Sequence, residues 1–262
     1  LRYPLSRTTG AGVTHLIEPI AQLAWSETSG GAVPVEDSAI VEFDEANLFS
    51  LDRFPGEDQR EEGRRANLGL TYTRTDPLGW SLGVTAGVVL RDTDAGQFTV
   101  GSGLDGKQTA FLLVTHFAVN DRWQVINRAL FDESLQFASN ELALTWTHPD
   151  HSVLTSYTWL EADPAENRPR DIGEWAFDAR IGLAHAWDAE VTWRYDFVEN
   201  APTRAGLALN YANECLDVQF SISRRYTTSA TVTPATEFGL TLELNGFGAQ
   251  RQGRSHDRSC LR

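Results

Sequence analysis

The chain of 262 residues has no methionine and only two cysteines, and its 22 Lys and Arg are outnumbered by 36 Asp and Glu, leaving a net charge of −14. Each shortage excludes something. Without a cationic balance, a nucleic-acid binder is not expected. Two cysteines are too few for a disulfide scaffold. No run of about 18 apolar residues occurs, so no membrane-spanning helix is expected. The chain starts at Leu1 with no basic-then-apolar leader, and it is read as a processed product or an excerpt. The usual catalytic signatures, G-x-S-x-G, G-x-x-x-x-G-K-[ST], H-E-x-x-H and C-x-x-C, are missing. No catalytic residue, cofactor or metal ligand is expected. His148 and His151 share a turn and are read as polar turn residues, and Gly101, Gly103 and Gly106 precede no helix that could cradle a phosphate.

What is present is a period of two. Ala66, Leu68, Leu70 and Tyr72 alternate with Asn67, Gly69, Thr71 and Thr73. Trp80, Leu82, Val84, Ala86, Val88 and Leu90 alternate with Ser81, Gly83, Thr85 and Gly87. Such alternation marks β-strands with two different environments. Further strands read at about 15–26, 109–119, 123–131, 138–147, 152–160, 174–184, 189–196, 204–211, 215–224 and 236–247. The fold class is therefore all-β, an antiparallel up-and-down arrangement of roughly twelve strands. Pro19, inside a strand pattern, removes a ladder donor and predicts a bulge or an edge position.

Many of these strands run ten or more residues, beyond the common length of about 5–6. A strand tilted across a bilayer needs about 9–11. The connections alternate between short ones, such as 76–79, 120–122 and 148–151, and long ones near 27–63, 92–108, 132–137, 161–173, 197–203 and 226–235. Short turns on one rim and long loops on the other is the layout of a transmembrane β-barrel. Trp80, Trp123 and Trp187 stand at strand starts, as an interfacial girdle requires, although the same residues could fill a soluble core. A soluble β-sandwich also alternates apolar with polar residues. Strand length and loop alternation favour the barrel.

The stretch Glu36 to Glu62, within a long extracellular loop at 27–63, carries ten acidic residues and two Arg. Its net of −8 is more than half of the chain's excess. Val41, Phe43, Leu48, Phe49, Leu51 and Phe54 are interleaved with the charge. A purely solvated loop needs no such residues, so the loop is expected to fold back and pack, at the barrel mouth. A second expectation is that its carboxylates bind divalent cations, which favour oxygen ligands.

The run from Phe43 to Thr73, with Phe43, Asp44, Asn47, Leu51, Arg53, Pro55 and Gly56 at its heart, resembles the barrel of the LptD-type lipopolysaccharide assembly proteins. The strand Thr14–Ser26 and the segment Tyr211–Gly248 look like the family's strand before this loop and its last hairpin. The resemblance implies a cell-outer-membrane protein of a Gram-negative bacterium, with residues 1–247 forming the C-terminal part of a larger barrel and 248–262 a polar periplasmic tail. It implies lipopolysaccharide as cargo, moved through a lumen and a lateral seam. Phe238, Leu240, Leu242 and Leu244 would be the outward residues of the seam strand. It also implies an LptE-like lipoprotein plug, and an LptA-like periplasmic bridge protein reached through an N-terminal domain. The alternative reading is a passive porin or another barrel without a lipid-export role. Cys215 and Cys260 are both placed on the short-turn rim, which allows them to bridge each other. The resemblance offers a competitor, in which the cysteine at this position pairs with one in the N-terminal domain. Family members carry two adjacent cysteines there, whereas Glu214 precedes a single Cys215 here.

Overall fold

The structure is a computed structural model that describes residues 1–29, 41–99, 102–162, 168–184, 186–213, 215–228 and 233–244. It contains thirteen strands: β1 (Leu5–Thr8), β2 (Thr14–Ser26), β3 (Gly63–Asp76), β4 (Trp80–Arg91), β5 (Phe111–Val119), β6 (Trp123–Phe131), β7 (Phe137–His148), β8 (His151–Leu160), β9 (Ile172–Ala184), β10 (Trp187–Asp196), β11 (Ala201–Ala212), β12 (Leu216–Arg225) and β13 (Ala235–Leu244). They form one antiparallel up-and-down sheet in chain order. The strand absent from the sequence reading is β1. Its four residues are too few to show an alternation, and only pairing with β2 identifies it. From β2 onward each strand has 9 to 14 residues, enough to cross a bilayer at a tilt. Among the described residues no helix is long and apolar enough to do so.

The Pro19 expectation holds on one side of its strand only. The β2–β3 register runs through the Pro19–Leu70 pair without a shift. On the other side the Pro19 carbonyl accepts from the Tyr3 amide, and the missing donor faces that way. There the ladder is interrupted, with β1 on one side of the gap and an isolated Arg2–Ile20 bridge on the other. At the Asn120-Asp121 turn both residues have positive φ, 49° and 54°, as a type I′ hairpin turn requires.

The chain divides into two compact units, Leu1–Leu144 with Tyr157–Gly173, and Thr145–Ser156 with Glu174–Arg262. In the first unit the apolar rows of β3 and β4 do not make the core. Leu68, Leu70 and Leu90 are exposed, as are Leu23 and Trp25 on β2. The core lies on the opposite face, where Val41, Phe43, Leu48, Phe54 and Leu104 from two long connections meet Val89, Leu112 and Val114. A sheet whose apolar rows are bare and whose other face is covered has the sidedness of a barrel wall facing lipid. In the second unit Leu183, Leu207, Phe220 and Ile222 are exposed in the same way. Ala179 is the only buried apolar side chain among the described residues there.

Candidate functional site

Residues 41–62 of the acidic loop fold back, as their interleaved apolar residues predict, except that the Leu51 side chain is exposed, and they lie on the face of β3–β6 that carries the polar rows. A tight turn aims it. The Asp44 carboxylate accepts from the amides of Ala46 and Asn47, both at 2.9 Å, and the Leu48 amide donates to the Asp44 carbonyl at 3.1 Å. Leu48 then points onto Gly69 and Gly87, which face each other across β3 and β4. A Cβ on Gly87 would lie 2.3 Å from Leu48 Cδ2, and one on Gly69 would lie 2.6 Å from Phe49 Cζ. This glycine pair is therefore a socket. Any larger residue at either place would lift the loop.

Charge fixes the other end of the loop. The Glu61 carboxylate is fully buried and meets three guanidinium groups: Arg53 at 2.6 Å, Arg91 at 3.0 Å and Arg65 at 3.7 Å. One carboxylate cannot satisfy three buried cations. Backbone carbonyls supply the rest. Arg53 donates to Leu48 O (2.8 Å), Arg65 to Leu51 O, and Arg91 to Leu104 O (2.6 Å) and Gly106 O (3.2 Å). Arg53 also reaches Asn67 Oδ1 at 3.2 Å. This explains how a segment without helix or strand can be buried. Its carbonyls, which no ladder pairs, are taken by arginine side chains. Burial draws the Arg53 guanidinium below its ordinary range. Arg91 and Arg65 push the same way, and Glu61 opposes them. The Phe54 and Phe98 rings stack at 4.9 Å, joining the second long loop to the first, and the Arg91 guanidinium sits 4.9 Å above Phe98.

A weaker clasp holds the leading end of the loop. Arg128 on β6 grips both oxygens of Glu45 at 2.8–3.0 Å and touches Glu141 at 3.4 Å. Burial raises the Glu45 carboxyl, but the hydrogen bonds and charge of Arg128 outweigh it, so the carboxyl titrates below its ordinary value. Beside this clasp is a cavity of about 630 Å³, lined by Glu42, Phe43 and Asp44 from the loop and by Arg128, Asn140 and Glu141 from the wall.

The polar face of the second unit is built differently. Arg194 pairs with Asp178 at 2.8 Å and Arg180 with Asp188 at 2.6 Å. Asn210 bridges Asp188 (2.8 Å) and Glu190 (3.1 Å). Two glycines here face hydroxyls of the neighbouring strand, Gly206 against Thr192 and Gly239 against Ser221, and Gly182 faces the Asp150 carbonyl. On the opposite face, in the row of Leu142 and Leu144, Trp146 and His148 stack with His151, the two imidazoles 5.5 Å apart. Among the described residues no group of three or more His, Cys, Asp or Glu is disposed to hold a metal ion.

Of the motif residues, Phe43 and Arg53 are buried, Asp44 and Asn47 make the turn, Leu51 gives its carbonyl to Arg65, and Pro55 and Gly56 lie at the surface. Phe238, Leu240, Leu242 and Leu244 on β13 are 54–79% exposed. The Cys215 amide donates to Asn213 Oδ1 at 2.9 Å, ahead of β12, and Cys260 lies outside the described residues. Sequence reasoning missed Glu61, Arg65, Arg91 and Arg128 as partners, and the Gly69–Gly87 socket. The one signal that could have found them is the placement of two arginines and two glycines in the polar rows of adjacent strands, beside an acidic loop.

Long antiparallel strands, alternating connection lengths and outward apolar rows together define a segment of an outer-membrane-type β-barrel. The family model for LPS transport system D (LptD) matches residues 1–187, and the chain belongs to the LptD family. No curated protein matches the chain. Membership gives the chain a role in lipopolysaccharide transport at the outer membrane. The family is one of transport and assembly proteins, not an enzyme family.

Proposed function

We propose that this chain is the part of an outer-membrane translocon that inserts lipopolysaccharide into the outer leaflet, with sugars passing through the lumen and acyl chains leaving by a lateral seam. One observation carries the reading. On β13, the last described strand, the row Phe238, Leu240, Leu242 and Leu244 is bare. An apolar outward row on such a strand is suited to a seam that opens into lipid. The family match supports the cargo. In this reading the long connections are extracellular, the short turns and residues 248–262 periplasmic, and residues 1–247 the C-terminal part of the barrel.

The same reading gives the open polar face of β9–β13 to an LptE-like plug, and an N-terminal domain of the kind the resemblance implies to an LptA-like bridge protein. Cys215 forms a disulfide in the oxidising periplasm, with Cys260 or with that domain. The test is an engineered cross-link between β13 and the first strand of the full-length barrel. Export stops while the barrel stays folded. Unimpaired export with the cross-link formed would refute the seam.

A further inference from the structure

The loop over β3–β6 is held unequally at its two ends. Its trailing part, Leu48 to Glu61, is locked by the glycine socket and the buried arginine cluster. Among the described residues, its part at 41–45 is tied to the wall by the partly exposed Glu45–Arg128 pair and the packing of Val41 and Phe43. The 630 Å³ cavity opens under that leading part and not at the locked end. Arg128 also has a second carboxylate already in reach, Glu141 at 3.4 Å, so releasing Glu45 does not leave a stranded cation.

The chemistry of the lining says what the cavity suits. Around Arg128 the charge is mixed, with Glu45 and Glu141 both on its guanidinium and Arg168 also in the lining. Beside these charged groups stand Ser139 and Thr158, above the apolar floor of Leu112 and Leu130. Vicinal hydroxyls of a sugar take a guanidinium donor and a carboxylate acceptor together, while the ring's C–H face rests on apolar carbon.

We propose that this cavity is a glycan subsite gated by residues 41–45, in which sugar hydroxyls replace Glu45 on Arg128 and the leading end lifts while the Glu61 end stays seated. The proposal rests on the export reading and adds to it a place where passing sugar is sensed.

The test uses the full-length protein with its lumenal partner in detergent. The probe is the delipidated, dephosphorylated core oligosaccharide of lipopolysaccharide. Calorimetry gives the affinity, and amide exchange gives loop opening. Glu45→Gln removes the competitor and tightens binding about fivefold to tenfold. Arg128→Gln abolishes binding, and Arg128→Lys restores a weaker site, having lost the two-pronged geometry. The oligosaccharide speeds exchange at 42–46, and at the Leu48 amide that donates to Asp44, and leaves 49–54 unchanged. Unchanged affinity in Glu45→Gln, equal loosening of both segments, or preferential binding of inorganic phosphate would each overturn the proposal. The seam cross-link reports separately. If it still stops export while the oligosaccharide does not bind, the subsite falls and the export reading stands.

Discussion

The polar faces of the two units obey the same alternation and do different work. On β3–β6 the face is covered by a loop, and its glycines, Gly69 and Gly87, make room for Leu48 and Phe49 arriving from that loop. On β9–β13 the described residues form an open polar surface, and two of its glycines, Gly206 and Gly239, make room for hydroxyls of the next strand. The arginines differ in the same sense. Arg65 and Arg91 gather buried carbonyls and one buried carboxylate, whereas Arg180 and Arg194 pair with carboxylates on their own sheet. The pattern of apolar and polar rows thus decides which side meets lipid. What the other side does depends on which small residues and which cations stand in the polar rows.

The largest effect that would break this comparison is expected at Glu61. Glu61→Ala leaves three buried guanidinium groups without their carboxylate, a loss of about 3–5 kcal/mol. Amide exchange at 43–54 then rises by about two to three powers of ten, while β11 and β12 are unchanged. Leu48→Ala empties the socket and costs about 2–5 kcal/mol. It loosens the same segment while the Glu61–Arg91 pair stays in place. Gly87→Ala drives a methyl into Leu48 and costs about 1–3 kcal/mol, read as partial loss of protection in the loop. The matched change on the open face, Thr192→Val, lies within about 0.5 kcal/mol in thermal unfolding. A large effect there would erase the contrast between the faces. The smallest effect is with pH. The Glu45 carboxyl titrates below its ordinary value in the folded chain, so its clasp contributes fully above the ordinary glutamate pKa, near 4.3. The contribution is lost as pH falls through the lowered one. Exchange at 42–46 should therefore hold constant from neutral pH to about 5, after correction for intrinsic rates, and rise only below about 4.

Much of the fold was legible because a period of two needs no tertiary information. Ala66 to Thr73 and Trp80 to Leu90 declare strands and faces by themselves, and the turn at Asp76-Pro77-Leu78-Gly79 separates them. β1 was not legible, since Leu5–Thr8 is too short to display a period. The folding back of residues 41–62 was legible in six large apolar residues, of which five pack and Leu51 is exposed. Its destination was not. Arg91 lies thirty positions from Glu61 in the chain and Arg128 more than eighty from Glu45, and neither pair has a local signature. Gly69 and Gly87 likewise read as ordinary small residues of a polar face until their cross-strand register puts them opposite each other under Leu48. The expectation that the loop's carboxylates bind divalent cations meets a competing use of those groups. Glu61 and Glu45 hold arginines, Asp52 pairs with Arg60 at 2.9 Å, and Asp44 caps its own turn.

The central claim is that the acidic loop is a seated cover, with Leu48 in the Gly69–Gly87 socket. Paired substitution Leu48→Cys with Gly87→Cys in the full-length protein tests it most directly. The account predicts that the two thiols form a disulfide under mild oxidation, and that Leu48→Cys alone resists a water-soluble maleimide until Glu61 is also replaced by alanine. Rapid labelling of Leu48→Cys in the folded barrel, with no cross-link to position 87, would contradict it.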